Sequence, residues 1–375
     1  MKKKIRILHI LHSFSAGGLE NGVVNLINGS PNHLEHELCV LTGGSDFLDR
    51  LKFPVAHHEL HKREGNDISM LRRLAALIRK GNYDLVHTRN WSAFDGVLAS
   101  WTVPQVVVVH GEHGRDIRDP KGLNHRRNLI RRLAGLRVKR FVAVSSDLYR
   151  WLKNIVAIPE AKLILIHNGV ETDKYRPFRD VALRQELGIG PEEFVVGTVA
   201  RLDPVKNHEG MINAVGQLNR DGKSARLIIV GEGPNRSALE SLIQTWPFGP
   251  RPILTGYRPD AWKYYGVFDV FILNSHAEGM SNTQLEAMAC GLPVICTPVG
   301  GNAELVEDGV SGQYTSVGDD ADLADKILKY KDDPDLRSRH GAAARAFVIA
   351  NHSLNKMISS YVSLYESFFA EHQTS

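Results

Sequence analysis

Two carboxylates and two cations are set apart by their type and spacing. Glu278 and Glu286 lie eight positions apart in NSHAEGMSNTQLEAMACGLPVICTPVGGNAE (274–304), the first in a glycine loop and the second about one turn into an expected helix. That spacing lets both carboxylates face one bound ligand. Arg201 and Lys206 flank a proline-containing loop. An arginine can chelate paired oxygens and a lysine supplies a point charge, a combination suited to a diphosphate. On an open loop the same two cations are ordinarily just solvated, so their placement decides what they do. The expected helix covers 282–290: Ser281 with Gln284 fits a capping box, and Gly291 and Pro293 stop it. Its first N–H groups favour an anion such as a phosphate. Together these residues point to a nucleotide or sugar phosphate.

The elements that must position them follow an alternating plan. DVFILNS (269–275) and PVICT (293–297) read as buried strands, and Gly300-Gly301 opens a further helix start. FVVGTVARLDPVKNHEGMINAV (194–215) is strand, loop and helix, with ARLIIVGEGP (225–234) and PILTGYRPD (252–260) as later strands. The GEGP turn lacks a full G-x-G-x-x-G after a first strand, which argues against NAD binding. In the first half, IRILHIL (5–11) leads through Gly17-Gly18 into a helix. Strands are expected at 36–42, 84–89, 105–111 and 140–145, and helices near 68–80, 91–101 and 123–137. Such alternation implies an α/β protein with parallel sheets covered on both faces. A lone histidine is ordinarily a satisfied buried group. His110, however, closes a run of valines before Gly111, at a strand end where ligands bind in such sheets.

The string E-G-M-S-N-T-x-L-E-A-M-A-x-G-x-P-V-x-x-T-x-x-G-G-x-x-E, starting at Glu278, resembles the donor site of the retaining glycosyltransferases of family 4. The resemblance extends over nearly the whole chain. It implies the GT-B fold: two Rossmann-like parallel-sheet domains facing across a cleft. The expected division is an acceptor domain at 1–173, a donor domain at 174–353, and a last helix (354–375) crossing back to the first domain. The family pattern places Gly17 and Gly18 by the donor diphosphate or the acceptor, and Arg201 and Lys206 on that diphosphate. Tyr257 and Arg258 fall near the base. Glu278, Gly279, Met280, Ser281, Asn282 and Thr283 line the sugar and phosphates, and Glu286 meets the ribose. His110 would hydrogen-bond the transferred sugar, with Glu112 and His113 beside the acceptor. No metal or other cofactor is expected, since no Asp-x-Asp pair is present where a donor metal would sit. The implied partners are a UDP- or GDP-linked sugar and a glycan or lipid-linked acceptor, as in bacterial polysaccharide synthesis, with exosortase-associated exopolysaccharide transferases as the subfamily most resembled. A nucleotide-sugar 2-epimerase and an inactive scaffold of the same fold are the alternatives.

At 375 residues the chain is long enough for two or three domains. Three cysteines, an odd number, fit a reducing cytoplasm. No window approaches 18 consecutive apolar residues, and nucleic acid is not an expected partner. Residues 1–173 hold 26 Lys+Arg against 17 Asp+Glu, whereas 174–375 hold 20 against 25. The basic excess concentrates in Arg115–Arg140, with ten cations and two acids. Leu123, Leu129, Ile130, Leu133 and Leu136 are expected to pack inward there, leaving arginines 126, 127, 131, 132 and 137 to meet an anionic inner-membrane surface.

Overall fold

The structure, a computed structural model, describes residues 4–15, 17–115 and 119–370. Outside the described residues lie Ala16 in the first glycine turn, Arg118 in the basic segment and the tail of the expected last helix. The chain divides into two compact units, residues 1–168 with 354–375, and residues 169–353. The division thus falls at Asn168–Gly169 rather than at 173.

The first unit is built on seven parallel strands: β1 (Ile5–Leu11), β2 (Leu34–Val40), β3 (His57–Glu59), β4 (Leu85–Arg89), β5 (Val107–Glu112), β6 (Arg140–Ala143) and β7 (Leu163–Leu165). Their order in the sheet is β3-β2-β1-β4-β5-β6-β7. β1 is buried on both faces and pairs with β2 and β4, which is why IRILHIL is apolar nearly throughout. β3 and β7 are three-residue strands, too short to carry a periodic signal. The helices are α1 (Gly18–Gly29), α2 (Ile68–Lys80), α3 (Asp95–Ala99), α4 (His125–Ala134) and α5 (Ser146–Asn154). The single helix expected at 91–101 is instead α3 between two 3-10 turns. The C-terminal helix Leu354–Ser367 belongs to this unit. Its Met357, Ile358, Tyr361, Leu364 and Tyr365 are buried with Ile5, Ile7, Leu85 and Val109 of the sheet, each contributing about 1.5–3 kcal/mol through burial.

The second unit carries β8 (Val195–Val199), β9 (Arg226–Val230), β10 (Ile253–Leu254), β11 (Val270–Leu273), β12 (Val294–Cys296) and β13 (Gly312–Tyr314) in the order β10-β9-β8-β11-β12-β13, all parallel. Its helices are α6 (Val181–Glu186), α7 (His208–Arg220), α8 (Arg236–Gln244), α9 (Asn282–Ala289), α10 (Asn302–Leu305), α11 (Asp320–Asp332) and α12 (Pro334–Asn351). Met211, Val215 and Leu218 of α7 and Leu323, Ile327 and Tyr330 of α11 close one core over Val196, Leu227, Val270 and Ile295.

The basic helix α4 is turned opposite to the sequence expectation. Leu123, Leu129, Ile130, Leu133 and Leu136 are exposed, whereas Asn128, Arg131 and Ala134 are buried. Arg131 donates to Glu112 Oε1 at 2.8 Å, and its guanidinium lies 4.8 Å and 4.9 Å from the ring centres of Trp91 and Trp151. Arg137 likewise turns in, onto the carbonyls of Ser100, Val103 and Val106. Burial pushes the Glu112 carboxyl up, but Arg131 and His110 outweigh it and hold it below its usual value. Removing one partner of such a pair strands a buried charge, at a cost of about 3–5 kcal/mol. Arg131→Ala is therefore expected to lower the midpoint of denaturant unfolding strongly, and Arg126→Ala, at an exposed position, hardly at all. Equal midpoints for the two variants would refute this inward placement.

Candidate active site

In the second unit β8 is flanked by β9 and β10 on one side and by β11, β12 and β13 on the other. The chain order therefore reverses between β8 and β11, and in open α/β sheets ligands bind in the crevice beyond the strand ends at such a point. The loops leaving these two strands are fastened together: His276 N–H donates to the Val205 carbonyl at 2.7 Å, and Lys206 forms an ion pair with Glu278 Oε1.

Each loop is shaped by its own side chains. Asp203 accepts from Val205 N at 3.2 Å, starting the 3-10 turn Pro204–Lys206, and takes Arg201 at 2.6 Å. Asn207, in the left-handed region at φ 49°, caps α7 by accepting from Gly210 N. Arg201 remains 60% exposed, but Lys206 is only 20% and Glu278 10% exposed, so this loop is not uniformly open as free solvation would require. Ser275, buried at the end of β11, donates to Glu278 Oε1 at 2.7 Å. Both contacts of Glu278 thus fall on Oε1, not on Oε2. His208, the first residue of α7, is lowered to about 4 by burial and the adjacent Lys206, which keeps it neutral at pH 7.

The loop after β12 clasps the Glu278 loop from behind. Thr297 Oγ1 donates to the Ser275 carbonyl at 2.6 Å and Gly301 N to the Gly279 carbonyl at 2.8 Å. Gly300 has φ 55°, and a Cβ there would stand 1.9 Å from the Glu278 carbonyl oxygen, so only glycine admits this approach. Gly300-Gly301 therefore serves as a clasp, and the helix α10 that follows is only four residues long.

α9 begins at the same rim. Ser281 Oγ accepts from Gln284 N at 3.3 Å, but Gln284 does not complete a reciprocal capping box: its side-chain nitrogen points to Cys296 Sγ at 3.9 Å in the core. Gly279, Met280 and Ser281 are buried, while Asn282 and Thr283 are half-buried in the first turn. Glu286 lies one turn further on, where Tyr265 donates to its Oε2 at 2.7 Å. The Tyr175 phenol, pushed up by burial and then by Glu286, bonds the same carboxylate. Tyr257 and Arg258 are exposed just after β10, beside a Gly231–Gly256 bridge that abuts Ala200 at the end of β8. Local sequence patterns had not singled out Ser275, Thr297, Tyr265 or Tyr175. Ser275 and Thr297 stood in the quoted strand ends, whereas nothing local links Tyr175 to Glu286.

The remaining candidates belong to the first unit. Gly17, extended at φ −164°, is the N-cap of α1, and Gly18 is its first residue. His110 is not at its strand's end, since β5 runs on to Glu112. It is fully enclosed between the edges of Phe94 and Phe141, with Thr88 Oγ1 at 2.7 Å from Nδ1 and Glu112 Oε1 at 3.4 Å from Nε2. A satisfied buried histidine describes it here. His113 is partly buried and its backbone N–H donates to Asn90 Oδ1 at 2.7 Å, while Glu112 is bound to Arg131.

A switch-point site with paired Lys and Glu, an adjacent exposed Arg and a helix N-terminus can neutralise an anion and accept hydrogen bonds from hydroxyls. Comparison with known proteins agrees. The family model described as glycosyl transferases group 1 matches residues 181–347, and that described as glycosyltransferase family 4 matches residues 16–174. The chain belongs to the group 1 glycosyltransferases. N-acetyl-alpha-D-glucosaminyl L-malate synthase of Bacillus anthracis is 26% identical to this glycosyltransferase over 88% of the chain and 89% of its own length. D-inositol 3-phosphate glycosyltransferase of Nocardia farcinica is 28% identical over 75% of the chain and 66% of its own length. Among solved structures, Anabaena HepE in complex with UDP and glucose superposes with a TM-score of 0.83 at 23% identity, over 97% of this chain and all of that one. Sucrose-phosphate synthase of Thermosynechococcus elongatus gives 0.81 at 21% identity, over 98% and all. The fold is GT-B, with two Rossmann-like parallel-sheet units.

Proposed function

We propose that this glycosyltransferase moves a hexosyl unit from a nucleoside-diphosphate sugar to a glycan or lipid-linked acceptor, with retention at the anomeric carbon, in polysaccharide assembly. The observation that carries the reading is the Lys206–Glu278 pair at the β8–β11 switch point, with Arg201 and the start of α9 on the same rim. The naming of the Bacillus relative for a glucosaminyl product and the UDP-glucose complex of HepE support a nucleotide sugar as donor. Lys206, Arg201 and the N–H groups of α9 stabilise the departing diphosphate, an electrostatic role of several kcal/mol when the donors are preorganised. Glu278 accepts from sugar hydroxyls through Oε2, and Glu286, oriented by Tyr265 and Tyr175, accepts from the ribose. Tyr257 and Arg258 flank the base. Gly17 and Gly18 present backbone amides to the diphosphate or the acceptor. His110, enclosed in this structure, takes a sugar hydroxyl only when that hydroxyl displaces its longer contact at Nε2, to Glu112.

Because Lys206 and Ser275 already hold Glu278, it is poorly placed as a covalent nucleophile of the kind retaining hydrolases use. In the step proposed, the bond from the anomeric carbon to the diphosphate oxygen breaks, the acceptor oxygen bonds to the same face, and the acceptor's proton passes to the leaving phosphate. Two cationic side chains at the diphosphate make a metal unnecessary. A thermal-shift screen of UDP-, GDP- and ADP-sugars should identify the donor, and transfer followed by NMR should give a product of retained configuration, undiminished by EDTA. Loss of activity in EDTA that magnesium or manganese restores would overturn the metal-free reading. An epimer formed from donor alone would replace transfer by epimerisation.

A further inference from the structure

The outward face of α4 and of the turn after it carries four apolar side chains, and the fold keeps them there. Leu129, Ile130, Leu133 and Leu136 are 55, 42, 56 and 70% exposed. On the helix, positions 126, 129, 130 and 133 share one side, opposite 128 and 131. Rolling the helix to bury the leucines would draw the Arg131 guanidinium from between Trp91 and Trp151 and strand the buried Glu112 carboxylate. The helix is also anchored from below. Asn128 donates to the Gly122 carbonyl at 2.9 Å, and Lys162 reaches the carbonyls of Gly135 and Val138 at the helix's C-terminal end. Monomeric soluble proteins rarely keep such a contiguous apolar face without a partner.

The charges around it select that partner. Arg126, Arg132, Lys121 and Lys139 are exposed beside the leucines. Asp119, the described carboxylate that precedes the helix in sequence, is engaged with the backbone N–H groups of Leu123 and Asn124, and Glu112 is buried against Arg131. A second copy docked on the same face would bring two sets of these cations together, because a two-fold interface matches a patch to itself. We infer that α4 is a membrane-docking helix, lying on an anionic phospholipid surface with Leu129, Ile130, Leu133 and Leu136 in the headgroup–acyl boundary and Arg126 and Arg132 on the phosphates. Arg131, Arg127 and Arg137 take no part in the contact. The inference is independent of the donor reading, which transfer to a water-soluble acceptor without vesicles tests separately.

The test is cosedimentation of the full chain with vesicles of phosphatidylcholine alone or mixed with phosphatidylglycerol. Binding is expected to the mixed vesicles only and to weaken with salt. The double variant Leu129→Ser, Leu133→Ser should lower it at least about tenfold, with an unchanged melting temperature and unchanged vesicle-free transfer. Arg126→Gln with Arg132→Gln should weaken it at low salt. Failure to sediment with either vesicle would overturn the inference, as would sedimentation that the serine variant leaves intact. A vesicle-free dimer abolished by Leu133→Ser would reassign the face to a protein partner.

Discussion

Glu278→Gln is expected to lower kcat by about 100- to 1000-fold, the loss typical of removing one preorganised electrostatic contact to a transition state. Gln keeps the length and an oxygen that can still accept from Ser275, so the change isolates the charge that Lys206 and the sugar share. Affinity for the bare nucleoside diphosphate should scarcely move, because the proposed partner of Glu278 is the sugar. Lys206→Ala should weaken both, and Glu286→Ala should act chiefly on bare-nucleotide affinity through the ribose. Since Lys206 and Glu278 touch, the double variant should cost less than the product of the single losses. Isothermal titration with the nucleoside diphosphate alongside steady-state kinetics separates these outcomes. Equal losses of nucleotide affinity in Glu278→Gln and Glu286→Ala would end the division of labour, and normal turnover in Lys206→Ala would remove its role on the diphosphate.

The first unit should collapse in mild acid well before the second. Burial, reinforced by the Arg89 charge, lowers His36 to about 4, His113 to about 3, and His9 and His87 well below the usual histidine range. Two of them contact one fully buried guanidinium: Arg89 lies 3.0 Å from His9 Nδ1 and 3.2 Å from His87 Nδ1, His9 Nε2 is 2.8 Å from His36 Nδ1, and the Arg89 charge also acts on His113. The unfolded chain binds these protons near pH 6.5 and the folded unit does not. Stability is therefore fully present above that pH and is lost as pH falls towards the lowered values. Each group contributes up to about 1.4 kcal/mol per pH unit, so four together remove up to about 5.6 kcal/mol per unit against a total of about 5–15 kcal/mol. Hydrogen exchange read by mass spectrometry from pH 7 to pH 5 should show β1, β4 and β5 losing protection while β8 and β11 retain theirs. Uniform protection across that range would mean that the buried histidines do not control stability.

The donor-side elements were legible because their strands carry continuous apolar runs and their loops carry glycine, proline and capping residues at short range. Ser281, Glu278 and Glu286 fall on α9 and its loop for that reason. The partners of those residues were less legible. Tyr175 reaches Glu286 across 111 positions of sequence, and Gly300 owes its identity to a backbone carbonyl 22 positions earlier. In α4 the sequence pattern points the leucines inward, whereas the fold turns them out. Periodicity weighs hydrophobicity alone. It cannot register that two tryptophans from separate elements and a carboxylate on β5 make burial of Arg131 favourable. His110 lies two residues before the end of β5, and its partner Thr88 comes from a strand that no local pattern links to it.

The C-terminal helix gives the chain a particular order of assembly. Tyr365 bonds His87 across 278 residues, and Met357 and Tyr361 complete a core whose strands begin at Ile5. During synthesis, residues 169–353 can reach their native packing as soon as they emerge, whereas the half made first must wait, with Ile5, Ile7, Leu85 and Val109 lacking the cover of the C-terminal helix, until that helix arrives. Closing so long a loop also slows this final docking relative to local contacts. The part of the enzyme translated first is thus finished last, and in the interval its exposed strands are the natural target of chaperones and of misassembly.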